Sequence, residues 1–92
     1  MRYEWDEAKS RSNFAKHGLD FSDAEEVFSG SCVTFADDRF EYGEPRLITL
    51  GALSGRIVVI AHTPRAGGTG VISMRKANRR EQEIYKKRLG ET

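Results

Sequence analysis

The pattern of polar and apolar positions near the start of the chain predicts two short helices. Asp6 is a good N-cap, and Gly18 can adopt the left-handed backbone conformation that ends a helix. The residues between them are therefore predicted to form a first helix. Ser22 and Glu25 have the spacing of a capping box, which opens a second helix that ends near Ser29. The chain therefore begins with two helices.

Strand signals separated by turns fill the middle of the chain. The predicted strands are Cys32 to Ala36, Arg46 to Leu53, Ile57 to Thr63 and Thr69 to Arg75. Ser54-Gly55 is a tight turn and Pro64 to Gly68 is a loop, so consecutive strands pair as an antiparallel meander. The run Ile57 to Ala61 is apolar on both faces, which predicts a central strand that is covered on both sides.

The end of the chain adds a last helix. Strict alternation along the last strand places Val71 and Arg75 on the face opposite Met74. Asn78 and Glu81 have capping-box spacing and open a helix. The apolar edge of this helix is Ile84, Tyr85 and Leu89. The predicted fold class is α+β: an antiparallel sheet with two N-terminal helices and one C-terminal helix.

Composition limits the class of protein. Ninety-two residues, 38% hydrophobic and 32% charged, are typical of one globular domain spanning residues 1–92. The longest apolar run is far shorter than the roughly 20 residues that span a bilayer, and the N-terminal residues lack the pattern of a secretory signal. A cytoplasmic protein is expected, with no membrane partner. The single cysteine, Cys32, can form neither an internal disulfide nor a multi-cysteine zinc site.

Charge is distributed unevenly along the chain. Residues 1–55 hold 6 Lys and Arg against 11 Asp and Glu, whereas residues 56–92 hold 9 against 3. Because Arg79 and Arg80 oppose the dipole of the last helix, folding alone does not explain them. Helix N-termini bind phosphate, and with Arg75 and Lys76 this terminus is a predicted anion site. The basic C-terminal third is expected to bind a polyanion, with RNA favoured.

RNA cleavage through the ribose 2′-OH needs a proton acceptor, a proton donor and cations that stabilise the phosphorane. The chain has no HExxH, cysteine cluster, P-loop or glycine-rich dinucleotide motif, so neither a metal nor a cofactor is predicted. Asp37-Asp38 is a turn more often than a cation site.

His62 is the candidate acid or base, since its ordinary pKa permits either role; it could equally bond a backbone carbonyl at the sheet rim. Arg75 is the candidate catalytic arginine because a strand fixes it, with a salt bridge to a helix carboxylate as its structural alternative. Arg65 and Arg79 are predicted to assist. The candidates for RNA binding are Lys16, His17, Lys76, Arg80 and Tyr85, although His17 can simply cap its helix and Tyr85 can pack in the core.

Two separated motifs resemble one family. They are Trp5-Asp6-Glu7 with Lys9, Asn13, Lys16-His17-Gly18 and Phe21, and the segment 72–81, Ile-Ser-Met-Arg-Lys-Ala-Asn-Arg-Arg-Glu, with Tyr85. Together they span nearly the whole chain and resemble the BrnT family of bacterial toxins. Met74 stands where the family usually has alanine, and Asn78 replaces a common threonine.

The resemblance implies a RelE-like fold, with helices on a small twisted antiparallel sheet, and a metal-independent endoribonuclease activity of the 2′-OH transesterification type. It also implies a BrnA-type ribbon-helix-helix antitoxin, which neutralises the toxin and carries it to operator DNA. Two alternatives remain. One is a non-catalytic module that binds nucleic acid or the antitoxin, and the other is a degenerate toxin that acts as a transcriptional co-repressor.

Overall fold

The structure is a computed structural model that describes residues 2–89. The elements in chain order are β1 (Tyr3–Glu4), α1 (Glu7–His17), a 3₁₀ turn (Phe21–Asp23), α2 (Ala24–Ser29), β2 (Cys32–Ala36), β3 (Leu47–Leu53), β4 (Arg56–Arg65), β5 (Gly68–Lys76) and α3 (Arg79–Arg88). The strands form one sheet in the order β1-β5-β4-β3-β2. The α+β class is therefore confirmed, with β4 at the centre of the sheet.

The predicted caps of α1 and α3 are confirmed. The Asp6 carboxylate accepts hydrogen bonds from the backbone N–H of Ala8 and Lys9, and Gly18 closes α1 at φ 73°. Asn78 and Glu81 form the complete capping box of α3. The capping box predicted for α2, Ser22 with Glu25, is wrong: Asp20 caps the 3₁₀ turn, and α2 has no side-chain cap. The side chain of Asp20 accepts the hydrogen bond of the Ser22 N–H, so the capping contact forms at the 3₁₀ turn, before α2 begins.

The sheet is mixed, because β1 runs parallel to β5. A two-residue strand has no alternation by which a sequence could reveal it. Gly68 permits the pairing: a Cβ there would clash with the carbonyl oxygen of Arg2, to which the Thr69 N–H donates at 2.9 Å. The prediction of a purely antiparallel sheet is therefore wrong at this edge, whereas β2 to β5 form the predicted meander.

Two details of the β4–β5 hairpin also differ from the prediction. No Pro64 to Gly68 loop exists, because both strands continue to a tight turn in which Gly67 has φ 90°. Pairing between β4 and β5 shifts at Ala61/His62, and a bulge leaves Ile72 as the extra residue of β5. Val71 therefore joins the same core cluster as Met74, contrary to strict alternation.

Both faces of β4 are covered, as predicted. On the face towards α1 and α2, a large cluster contains Val58, Ile60 and Met74 together with Phe21 and Val27. On the opposite face, which we call the α3 face, Leu50, Val59 and Ala77 form a smaller cluster. Ile48, Ile57, Ile84 and Tyr85 pack against it. Leu89 lies past the end of α3 and is 39% exposed, so it is not part of the predicted apolar edge.

Asn13 connects α1 to the sheet. Its Nδ2 donates to the carbonyl of Leu19 at 3.0 Å, and its Oδ1 accepts from the backbone N–H of Met74 at 3.2 Å. Both bonds are buried, so the side chain satisfies two backbone groups that water does not reach. This explains in physical terms why one residue of the N-terminal motif is an amide.

We expect Gly51→Ala to lower the free energy of unfolding by about 1–3 kcal/mol, because overpacking a tight core costs this much. A Cβ at Gly51 would lie 2.6 Å from Cγ1 of buried Val27 and 3.3 Å from Cβ of Cys32. Urea denaturation measures the effect. Gly30→Ala is the control, because its nearest atom would lie 3.8 Å away; equal stability of the two variants would contradict the packing argument.

Candidate functional site

His62 lies inside the protein, on the face of the sheet that α2 covers. It is 5% exposed, its Nε2 lies 2.7 Å from Thr49 Oγ1, and its ring meets that of Phe28 edge-on at 4.9 Å. Thr49 in turn shares a 2.6 Å hydrogen bond with Thr34. Burial lowers the pKa of His62 from 6.5 to about 4. The imidazole is therefore neutral near pH 7 and is bonded within the core.

Arg75 lies on the other face of the sheet. It pairs with Val59, whose side chain belongs to the α3 face. Side chains alternate along β4, so position 62 points away from position 59. The predicted meeting of His62 and Arg75 in one solvent-facing hollow is therefore wrong, and the structure leaves His62 without access to a phosphate at Arg75.

Arg75 forms a two-pronged ion pair with Glu81. Its Nη1 and Nη2 donate to Oε1 and Oε2 of Glu81, both at 2.8 Å, and Nη1 also reaches the carbonyl of Lys76 at 3.3 Å. The Arg75 side chain is 42% exposed and that of Glu81 is 21% exposed. Hydrogen bonding to the partner is the main cause that raises the pKa of Arg75 and lowers that of Glu81. Both groups are therefore charged and reachable from solvent.

A second guanidinium–carboxylate pair faces the first. Asp37 accepts hydrogen bonds from Arg39 Nε at 2.8 Å, Arg39 Nη2 at 2.9 Å and the hydroxyl of Tyr42 at 3.1 Å. Bonding to Arg39 holds the pKa of the Asp37 carboxyl far below its ordinary range. Asp37 is 2% exposed and its partner Arg39 is 68% exposed, so only the cation of this pair faces solvent.

These two pairs line one hollow of about 210 Å³, which we call the Arg75 hollow. Its lining residues are Phe35, Ala36, Asp37, Asp38, Arg39, Ile48, Arg75 and Glu81. The sequence favours a turn at Asp37-Asp38 and does not single out Arg39 as a site residue. The available signal was the spacing of Asp37 and Arg39, because a carboxylate and a guanidinium two residues apart in a turn can pair locally.

The cations around the start of α3 do not line this hollow. Arg79 is 94% exposed and its Nε lies 3.7 Å from Glu83. Lys76 lines a separate hollow with Arg56 and Lys86, and Arg80 is exposed on the first turn. At the predicted anion site, the start of α3, the Glu81 N–H already donates a hydrogen bond to the side chain of Asn78.

The remaining candidates are dispersed. Arg65 lines a different hollow and donates to Glu44 at 3.1 Å. Lys16 and His17 lie in the last turn of α1 and line neither hollow. Tyr85 is partly buried against the cluster under α3 and donates its hydroxyl to the carbonyl of Ser31 at 2.9 Å, so both its ring and its hydroxyl have partners within the protein. Of the predicted site residues, only Arg75 lies in the Arg75 hollow.

The Arg75 hollow has the groups that phosphate chemistry uses. Two guanidinium groups can bind the oxygens of one phosphate, since their donors match it in a planar fork. Glu81 is an accessible carboxylate in contact with one of them. A phosphate that binds Arg75 must compete with this carboxylate for the same donors.

Comparison with known families agrees with the sequence motifs. The chain matches a family described as the ribonuclease toxin, BrnT, of type II toxin-antitoxin systems over residues 5–81. The match includes α1, β2 to β5 and the first turn of α3, and hence every residue of the Arg75 hollow. The chain has no match among curated proteins. Within residues 2–89, the helices are too short or too polar to cross a bilayer.

Proposed function

Because this chain belongs to the BrnT family of ribonuclease toxins of type II toxin-antitoxin systems, we propose that it is a metal-independent endoribonuclease whose site is the Arg75 hollow. The observation that carries the proposal is the contact between Arg75 and Glu81 in a solvent-open hollow. That contact brings together a cation for the phosphate and a carboxylate for the proton.

In the proposed reaction, the ribose 2′-oxygen attacks the adjacent phosphorus and the bond to the 5′-oxygen breaks. Arg75, assisted by Arg39, binds the non-bridging oxygens and stabilises the negative charge that grows on them. The products are a 2′,3′-cyclic phosphate and a 5′-hydroxyl, and the departing 5′-oxygen takes a proton from water. The guanidinium groups supply the positive charge that a metal supplies in other nucleases.

Glu81 is the proposed acceptor of the 2′-OH proton. The other carboxylate of the facing pair, Asp37, is almost fully buried and accepts several hydrogen bonds, so a ribose cannot reach it. Arg75 lowers the pKa of Glu81 in the free protein. A phosphate that takes over the donors of Arg75 removes this effect, which makes Glu81 a stronger base when RNA is bound.

The other cations keep supporting roles in this proposal. Arg79, Arg80 and Lys76 are exposed around the start of α3 and would bind flanking phosphates, which gives affinity without chemistry. In this proposal His62 is a buried core residue that does not contact the RNA. Glu81, which lies beside Arg75, takes the proton-accepting role that was predicted for His62.

Family membership also implies an antitoxin partner. We propose a BrnA-type ribbon-helix-helix antitoxin that covers the Arg75 hollow with acidic or apolar residues and carries the toxin to operator DNA. The site of action would be the cytoplasm, where the RNA is. Binding between charged surfaces weakens with salt, so the complex should dissociate more readily at high ionic strength.

We expect the purified protein to cleave RNA in EDTA and to leave 2′,3′-cyclic phosphate ends. Glu81→Gln is expected to lower the rate about 100-fold, the low end of the range for a general base. Glutamine keeps the capping box of α3, so the helix should survive. Cleavage on a gel and the chemistry of the new ends are the measurements.

Glu83→Gln is the matched control. Glu83 lies on the same helix, two positions on, and its one ion pair among the described residues is with Arg79 at 3.7 Å. Full cleavage by Glu81→Gln would remove Glu81 from the mechanism. Retention of RNA without cleavage by the unaltered protein would instead support the non-catalytic binding module.

A further inference from the structure

The lining of the Arg75 hollow includes three apolar side chains that the proposed cleavage reaction does not use: Phe35, Ala36 and Ile48. Phe35 pairs with Ile48 across β2 and β3, and Ile48 packs against the cluster on the α3 face. Directly paired residues of neighbouring strands lie on the same face of a sheet, so the ring of Phe35 is on the face that carries Arg75. A phosphate gains nothing from an apolar surface, so these side chains suit a different part of the ligand.

Phe35 is the aromatic part of this lining. It is 37% exposed, and within residues 2–89 its ring stacks on no other aromatic ring. A ring in the same hollow as two guanidinium groups matches a nucleotide, because a base stacks on an aromatic side chain while its phosphate pairs with a cation. The volume of about 210 Å³ is below the roughly 300 Å³ at which pockets for whole drug-sized ligands begin, so the hollow suits a single base.

Asp38 is the carboxylate of this hollow that has no partner in the described part of the chain. Asp37 is bonded to Arg39, and Glu81 is bonded to Arg75. Asp38 is exposed and makes no hydrogen bond or ion pair with any residue from 2 to 89. A free carboxylate repels a phosphate bound beside it, and this cost is offset only if the same ligand donates a hydrogen bond to the carboxylate.

A nucleotide of RNA offers two kinds of donor, the ribose 2′-hydroxyl and the N–H groups of the base. The proposed reaction assigns the hydroxyl to Glu81, which leaves the base for Asp38. A carboxylate accepts a hydrogen bond from an exocyclic amino group such as N4 of cytosine. Uracil has a carbonyl oxygen at the equivalent position, and two acceptors cannot bond to each other.

We propose that the Arg75 hollow also recognises the base next to the cleaved bond, which stacks on Phe35 and donates its exocyclic amino group to Asp38. This inference rests on the proposed function and adds the substrate class to it, namely RNA with cytosine, adenine or guanine at this position and not uracil. Asp38 is then a specificity-determining residue, whereas Arg75 and Glu81 act on the reacting atoms.

Cytosine and uracil give a matched pair of substrates, because they have the same ring and differ mainly in the group at C4. The substrates are DNA oligonucleotides with a single ribose, so only one bond can be cleaved, and the bases on its two sides are exchanged in turn. At one of these two positions we expect kcat/KM to be about 10- to 100-fold higher with cytosine, the usual value of a hydrogen bond to a charged group.

Two variants separate the roles of the carboxylate and the ring. In Asp38→Asn the amide can donate to the uracil carbonyl, so this variant should cleave the uracil substrate at least as fast as the cytosine one. Phe35→Leu should slow both substrates roughly tenfold through lost stacking and keep their ratio. Glu41→Gln is the control for Asp38, because Glu41 is an exposed carboxylate of the same loop that does not line the hollow. It should keep the cytosine preference.

The base subsite and the nuclease fail separately. Equal rates for cytosine and uracil at both positions would overturn the subsite alone. A cytosine preference that persists in Asp38→Asn, or an equal loss of both rates in that variant, would also overturn it.

If neither substrate is cleaved, the affinities for 2′-O-methyl oligocytidine and oligouridine decide, since these probes lack the attacking hydroxyl. A preference for oligocytidine that Asp38→Asn removes would support the subsite and contradict the nuclease. Equal affinities, or a preference that this variant retains, would overturn the subsite as well.

Discussion

Replacing Arg75 with alanine is expected to slow RNA cleavage by about 100- to 1000-fold, the usual cost of removing one donor that stabilises a developing negative charge. Arg75 is the less exposed of the two arginines that line its hollow, and it is already in contact with Glu81, the proposed proton acceptor. Its loss removes the contact with the phosphate and also the ion pair of Glu81. Single-turnover cleavage at saturating protein measures this loss apart from binding.

The fold should survive this change. The Arg75–Glu81 pair is partly exposed, so its contribution to stability is at most about 1 kcal/mol. Arg75→Lys should retain part of the activity, because an ammonium group keeps the charge but not the fork geometry. Arg88→Gln removes a cation from the last turn of α3, the helix that carries Glu81, and serves as the control. If Arg75→Ala still arrested growth on induced expression, with unchanged cleavage, Arg75 would have no place in the mechanism.

The elements that the sequence predicted correctly are those with a local cause. Asp6, Gly18, Asn78 and Glu81 satisfy backbone groups only a few residues away, so their pattern can be recognised without knowing the rest of the fold. The strands of the meander are also recognisable, because each is apolar and bounded by a turn. Local chemistry therefore predicted α1, α3 and the order of β2 to β5.

The features that were missed depend on distant residues. β1 exists because Gly68 lets the carbonyl of Arg2 approach β5, and the bulge at Ile72 depends on how β4 and β5 align. Neither is visible in a stretch of sequence considered alone. The same applies to the site, because the face on which His62 lies is set by strand register, and register is fixed only when the whole sheet forms.

Charge shows a similar limit. The excess of cations in residues 56–92 predicted a basic surface, but Arg75, Arg79 and Arg65 each contact a carboxylate in the folded protein. Two of these carboxylates come from the same basic segment and one, Glu44, comes from the acidic one. An anionic ligand must therefore displace a carboxylate from each of these arginines. This lowers the affinity of the ligand below what the number of cations predicts. Within residues 2–89, the exposed Lys76 and Arg80 and the exposed side of Arg39 are cations that such a ligand reaches without displacing a carboxylate.

Acid is expected to destabilise the protein through His62, by roughly 3 kcal/mol between pH 6.5 and pH 4. Burial lowers the pKa of His62 to about 4, whereas the unfolded chain has the ordinary value of 6.5. The unfolded state therefore binds a proton in this range and the folded state does not. Stability is fully present above pH 6.5 and falls by up to about 1.4 kcal/mol for each pH unit below it. Urea denaturation at several pH values measures the slope.

Carboxylates titrate in part of the same range, so the contribution of His62 is obtained by comparing variants. His62→Gln keeps a polar group beside Thr49 but cannot be protonated, and its stability should fall less steeply between pH 6.5 and pH 4. His17→Gln is the matched control, because His17 is the other histidine of the chain and lies at the end of α1. It should retain the steep fall of the unaltered protein. A steep fall in His62→Gln would show that the acid sensitivity has another source, and RNA cleavage by that variant at pH 7 would show that the imidazole has no part in the chemistry.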